Sequence, residues 1–124
     1  MVKEYCVLVH ALLAQTTPFA LFSSYATAGE LKHFFAKSKA THIFVHANFL
    51  ERLLPVAREQ NFPMEQIFIL DGVVSGENKR FKSLDSMIKF VRANQLPKES
   101  VKAVNKNTLA YLVFSSGTSG LPKG

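Results

Sequence analysis

The sequence predicts an α/β fold in which a parallel sheet is flanked by helices. Two observations point to it. Segments with helical periodicity alternate with short apolar segments, four of each, between residues 4 and 114. The short segments are apolar throughout rather than at every second residue, as in strands covered on both faces. Strands of this kind join through right-handed crossovers, and ligands gather at their carboxyl ends.

Taken in order, residues 4–14 read as an apolar helix with few polar positions, expected to be buried on most sides. Thr16, Thr17 and Pro18 break it, and residues 19–22 form a short strand. Residues 23–26 are a turn. Thr27 followed three residues later by Glu30 is a capping box opening the second helix, with Leu31, Phe34 and Phe35 on one face. Residues 42–46 are the second strand. Asn48 and Glu51 repeat the capping pattern and start a third helix, whose inner face holds Leu50, Leu53, Leu54 and Ala57. Pro55 lies inside it and predicts a kink or a restart. Residues 66–70 are the third strand, closed by the turn pair Asp71-Gly72. After a polar loop over residues 73–82, Ser83 caps a fourth helix with Leu84, Met87, Ile88 and Val91 at helical spacing. Residues 95–107 are a polar, basic surface linker, and residues 108–114 the last strand.

The length of 124 residues suits one domain spanning residues 1–124, and 48% hydrophobic against 19% charged residues excludes a disordered composition. Cys6 stands alone, which excludes an internal disulfide and a cysteine-based zinc site and fits a reducing, cytoplasmic setting. The longest apolar stretch, residues 5–14, is broken by His10 and falls short of the roughly 18 residues of a membrane span. Glu4 and the lack of a small-residue cleavage site argue against a signal peptide. The net charge of +6 is concentrated in residues 79–106, with eight basic and two acidic side chains. Such a stripe can attract phosphates or nucleic acid. It lacks the aromatic and glycine interleaving of a base-stacking surface, so a solvated helix face is the expected reading, with no nucleic-acid partner.

The last strand runs into Ser115-Ser116-Gly117-Thr118-Ser119-Gly120-Leu121-Pro122-Lys123-Gly124. Three glycines and a proline forbid regular structure there. A loop with so little side-chain bulk can turn backbone N–H groups around an anion. The hydroxyls of Ser115, Ser116, Thr118 and Ser119 add donors, and Lys123 adds a charge. Two familiar phosphate motifs fail on position. A Walker loop needs Gly-Lys-Ser/Thr four residues after its first glycine; here Pro122 precedes Lys123 and Gly124 follows it. The dinucleotide Gly-x-Gly-x-x-Gly fails because two residues separate Gly117 from Gly120.

All ten positions fit a different pattern. The stretch resembles the phosphate-binding motif of the adenylate-forming superfamily, which includes acyl-CoA synthetases, 4-coumarate–CoA ligases, luciferases and peptide-synthetase adenylation domains. Looser similarities extend to residues 11–25, Glu30-Leu31 and residues 39–43, with Ala14-Gln15-Thr16 and Ser23-Ser24 departing from the family's usual turns. Acyl-CoA ligases similar to 4-coumarate ligases are the best match. The resemblance implies an internal piece of the large domain, a partial AMP-binding domain with a partial parallel sheet, ending at the phosphate-binding loop. It implies ATP, magnesium and coenzyme A as cofactors and a carboxylic acid as substrate. The activity implied is formation of an acyl-adenylate and then an acyl-CoA thioester. Ser115, Ser116, Gly117, Thr118, Ser119, Gly120 and Lys123 would hold the phosphates, none as a covalent nucleophile. The remaining active-site parts of the family follow this loop, so this chain is expected to be inactive alone. Cytoplasmic location is expected, with a peroxisomal one open for a full-length relative. The alternatives are a non-catalytic nucleotide or phosphate binder, an interaction remnant, and a basic nucleic-acid module.

No second chemistry competes. His42 and His46 share a strand face about 13 Å apart, too far to share a metal. Asp71 and Asp85 have no acidic partner at a useful spacing, and Cys6 sits in an apolar helix as a core residue. No metal site and no catalytic side chain is expected.

Overall fold

Residues 3–114 are described by the structure, a computed structural model. Within them helices and strands alternate as the sequence predicts: α1 Lys3–Ala14, β1 Phe19–Leu21, α2 Ala28–Ser38, β2 Ile43–Val45, α3 Ala47–Glu59, β3 Ile67–Ile69, α4 Leu84–Ala93 and β4 Tyr111–Val113. Short 3-10 turns at Met64–Gln66 and Gly76–Arg80 precede β3 and α4. Every strand pair is parallel, but pairing does not follow chain order. β1 pairs with β4, Leu21 opposite Val113, and β2 pairs with β3, Val45 opposite Ile69. The sheet is therefore present as two two-stranded parts. The outer edge of β3 is closed by Ser83, through a bridge in which the Ile69 N–H donates to the Lys82 carbonyl at 2.8 Å.

The helix starts are chemical. Thr27 Oγ1 accepts from the Glu30 N–H at 3.3 Å, and the Glu30 carboxylate accepts from the Thr27 N–H at 2.7 Å, the expected capping box. Ser83 and Ser86 exchange bonds in the same way at α4. At α3 the cap is His46, not Asn48: His46 Nδ1 accepts from the Asn48 N–H at 3.2 Å. An imidazole nitrogen with a free lone pair does what an Asx oxygen usually does at this position. α3 also runs through Pro55 without restarting. Pro55 has no N–H to donate to the Glu51 carbonyl, a loss that the helix tolerates. The helix ends are marked by geometry rather than by glycine. Thr16, Lys39, Asn61 and Gln95 all adopt left-handed φ between 49° and 55°. Behind three of them the next N–H reaches back five residues, Thr17 to Leu12, Phe62 to Ala57 and Leu96 to Val91. These are Schellman closures.

The two parts of the sheet have separate cores, with α3 between them. Leu50, Leu53, Leu54 and Ala57 pack with Ile67, Ile69 and Phe81. Val56, on another face of α3, packs with Ala26, Leu31 and Phe34. Leu50, Ile67 and Ile69 are the largest fully buried side chains. Three expectations of burial fail. α1 buries no residue completely, and its Cys6 is only half-buried. On α4 only Leu84 is buried, leaving Met87, Phe90 and Val91 exposed. β4 exposes Tyr111 and Val113. Apolar periodicity marks a face that can be covered, not one that the fold covers completely. Among the described residues no helix is long and apolar enough to cross a membrane.

Glu30 carries a pH dependence. Its carboxyl lies below the usual carboxylate range, chiefly through the backbone N–H of Thr27 and then through the Thr27 hydroxyl. A depressed carboxylate contributes stability above its unfolded pKa that is lost as pH falls through its folded pKa. Helicity of α2 should therefore decline in acid below the ordinary glutamate range. In circular dichroism titrations Glu30→Gln should remove that component; a profile identical to the parent would assign no role to the cap.

Candidate functional site

The site is built where β4 delivers the terminal loop. Parallel pairing brings the carboxyl ends of β1 and β4 together, so the chain leaves both strands at the same place. Just past β4 the last described residue, Phe114, turns its ring toward the second core cluster. It lies 4.6 Å from the Phe34 ring and 5.7 Å from the Phe22 ring, while Phe22 and Phe34 stack at 4.7 Å. A three-ring anchor thus holds the point from which residue 115 departs. Buried aromatic pairs contribute about 0.5–1.5 kcal/mol each beyond the area they bury.

On the β1 side, Phe22 leads into a turn closed by the Ala26 N–H donating to the Ser23 carbonyl at 3.1 Å. The Tyr25 N–H donates to Ser23 Oγ at 3.2 Å. Arg52 on α3 donates from Nη1 to the Ser24 carbonyl at 3.0 Å, tying the turn to the helix behind it. Tyr25 stands free, 87% exposed. Ser23, Ser24, Tyr25 and Arg52 therefore flank the loop's departure point. The sequence places the turn but not its position beside the carboxyl end of β4. The missing signal was strand order: nothing local says that the first strand pairs with the last.

The proposed phosphate contacts, Ser115, Ser116, Gly117, Thr118, Ser119, Gly120 and Lys123, lie outside the described residues. The structure bears on them through the strand that carries them.

At the carboxyl ends of the other strand pair, Gly72 adopts φ +91°, and a Cβ there would meet the Cβ of Ala47 at 2.8 Å. The Ala47 N–H donates to the Asp71 carbonyl at 2.9 Å, and Asp71 Oδ1 accepts from the Gly72 N–H at 2.7 Å. Neither His42 nor His46 lies in β2, the one preceding the strand and the other capping α3, so the face-sharing expected of that pair does not apply. Among the described residues no three of His, Cys, Asp and Glu come together as a metal-holding group. The basic stretch is spread over the Gly76–Arg80 turn, α4 and the linker, with Lys89 paired to Asp85 at 2.7 Å and Arg80 set over the Phe81 ring.

Comparison with known proteins adds three findings. The family model described as AMP-binding enzyme matches residues 1–124. The chain is 25% identical over 123 residues to the acyl-CoA ligase AKT1 of Alternaria alternata, covering 97% of this chain and 21% of that protein. It thus spans about a fifth of the length of that curated relative. Among solved structures it superposes on a natural red-emitting luciferase from Phrixothrix hirtus with a TM-score of 0.81 at 22% identity, covering all of this chain and 30% of the luciferase. That likeness shows the α/β fold.

Proposed function

Since the chain belongs to the AMP-binding enzyme family, we propose that it forms the phosphate-holding part of the large domain of an ATP-dependent acid–CoA ligase. The observation that carries the reading is the ten-residue match at residues 115–124, in a chain whose whole length matches the family. The similarity to an acyl-CoA ligase supports the thioester-forming branch.

In this reading the residues of the loop bind and orient. The backbone N–H groups around Gly117 and Gly120 face the β- and γ-phosphates, and the hydroxyls of Ser115, Ser116, Thr118 and Ser119 add hydrogen bonds. Lys123 balances charge on the leaving pyrophosphate as a carboxylate attacks the α-phosphorus. Bond breaking there leaves an acyl-adenylate, from which coenzyme A would take the acyl group. The three-ring anchor at Phe114 fixes the strand end that carries the loop.

Titration of the chain with ATP tests the proposal. A charge-assisted contact contributes about 1.5–3 kcal/mol. Lys123→Ala should therefore weaken ATP binding about tenfold or more, each 1.4 kcal/mol being a factor of ten. Equal affinity in the parent and the variant would reject the phosphate role.

A further inference from the structure

α4 meets the rest of the fold along a narrow stripe. Leu84 is buried and Ile88, one turn on, is half-buried. Met87, Phe90 and Val91 repeat at helical spacing beside that stripe and are exposed, Phe90 by 62%. Apolar exposure continues past the helix. The Leu96 N–H donates to the Val91 carbonyl at 3.1 Å, and Leu96, Val101 and Val104 are exposed in turn. Every residue from 89 to 111 is exposed. The segment is held nonetheless. The Lys102 N–H donates to the Ala14 carbonyl at 2.9 Å, and Gln15 Nε2 to the Ser100 carbonyl at 3.1 Å, both at or just past the end of α1. A fixed strip of surface therefore carries apolar side chains that the fold leaves in water, a pattern that marks interaction sites.

The same stretch carries the net charge. All eight basic side chains of residues 79–106 are exposed, and the remaining residues of the chain carry equal numbers of basic and acidic groups. Among the described residues, Lys89 alone of the eight is ion-paired, with Asp85. Glu99 is the other acid of the stretch. Exposed cations interspersed with exposed aliphatic groups select the partner. Nucleic acid would meet the charges, but bases stack on rings, and Phe90 is the only ring among residues 82–110. Val, Leu and Met have no flat face to offer a base; they partition into hydrocarbon. A surface of acidic lipids meets both features, with anionic headgroups lying above acyl chains. Lys89 and Arg92 stand on other sides of α4 from Phe90, being one and two residues away from it. The helix thus has the polar and apolar sides of one that lies in a membrane interface, where long basic stems reach back to the headgroups.

We propose that α4 and the linker after it form a docking surface for an anionic membrane. Met87, Phe90, Val91 and Leu96 enter the boundary between headgroups and acyl chains, and the basic residues of 79–106 hold acidic headgroups. α4 lies on such a surface and does not span it: its 10 residues rise about 15 Å, against a hydrocarbon core of about 30 Å. The inference stands apart from the nucleotide reading, since no residue of the terminal loop enters it.

The probe is a pair of vesicle preparations, phosphatidylcholine alone and phosphatidylcholine mixed with phosphatidylserine, each sedimented with the chain. Binding is expected only where phosphatidylserine is present, and it should fall steeply as salt rises from about 0.1 to about 1 M. Phe90→Ser should weaken it about tenfold or more, through loss of one inserted ring. Arg92→Gln should weaken it about fivefold, through loss of one charge near the surface. Asp85→Asn should strengthen it about fivefold, a gain that misfolding cannot imitate. Val73→Ser, at an exposed residue off the strip, should bind like the parent. The chain has no tryptophan, so Phe90→Trp supplies a single reporter, whose emission should shift to the blue on vesicles as the ring leaves water. Four results would overturn the proposal. No binding to either preparation is the plainest. Equal binding to phosphatidylcholine alone would show indiscriminate adhesion of apolar surface. Unchanged tryptophan emission in the bound chain would show charge contact without insertion. A tighter complex with an oligonucleotide than with the acidic vesicles would make nucleic acid the partner.

Discussion

Phe34→Ala should lower the free energy of unfolding by about 3–5 kcal/mol, the usual cost of emptying an aromatic core site. Phe34 is 3% exposed and packs against both Phe22 and Phe114. Its removal opens a void between α2 and the junction of β1 with β4, and no flexible side chain nearby can refill it. Total stabilities of natural domains are about 5–15 kcal/mol, so the loss is a large share. Urea titration of Phe34→Ala beside Phe90→Ala is the measurement. Phe90 is 62% exposed, and its truncation should stay within about 0.5 kcal/mol. Similar losses in the two variants would show that the three-ring anchor contributes nothing beyond an ordinary surface contact. The variant bears on the site as well, because Phe114 would lose the ring that holds the departure of residues 115–124.

Gly72→Ala should be the next most damaging change, about 2–3 kcal/mol. Left-handed backbone costs an L-residue about 1–2 kcal/mol. The new methyl would also fall 2.8 Å from the Ala47 Cβ, at the first residue of α3, where neither group can swing away. The matched control is Gly29→Ala in α2. There a Cβ meets nothing within 4 Å, and the change should stabilise by up to about 1 kcal/mol through helix propensity and lower unfolded-state entropy. Thermal midpoints of the two variants should therefore move in opposite directions. Midpoints moving together would refute the steric account of Gly72.

These sites differ in how legible they were. Thr27 with Glu30, and Asp71 with Gly72, are local chemistry: the groups that bond are one to three residues apart, so order alone reveals them. The inner face of α3 was legible for the same reason, because helical spacing puts Leu50, Leu53, Leu54 and Ala57 on one side whatever they pack against. His46 was not, because an imidazole cap has no strong propensity signal and was absorbed into the strand before it. The helix ends were equally silent: a left-handed Thr16, Lys39, Asn61 or Gln95 does not announce itself as a glycine would.

By itself, the sequence determined the α/β order, the helix starts and the ten residues that identify the family, all properties of neighbours along the chain. Only the tertiary structure decided that β1 lies beside β4, that β2 lies beside β3, and that Phe114 packs onto Phe22 and Phe34. Parallel strands need long crossovers, so their partners are far apart in the chain. Their pairing rests on backbone hydrogen bonds, which every residue but proline can make, and the sequence carries no local mark of which edge meets which.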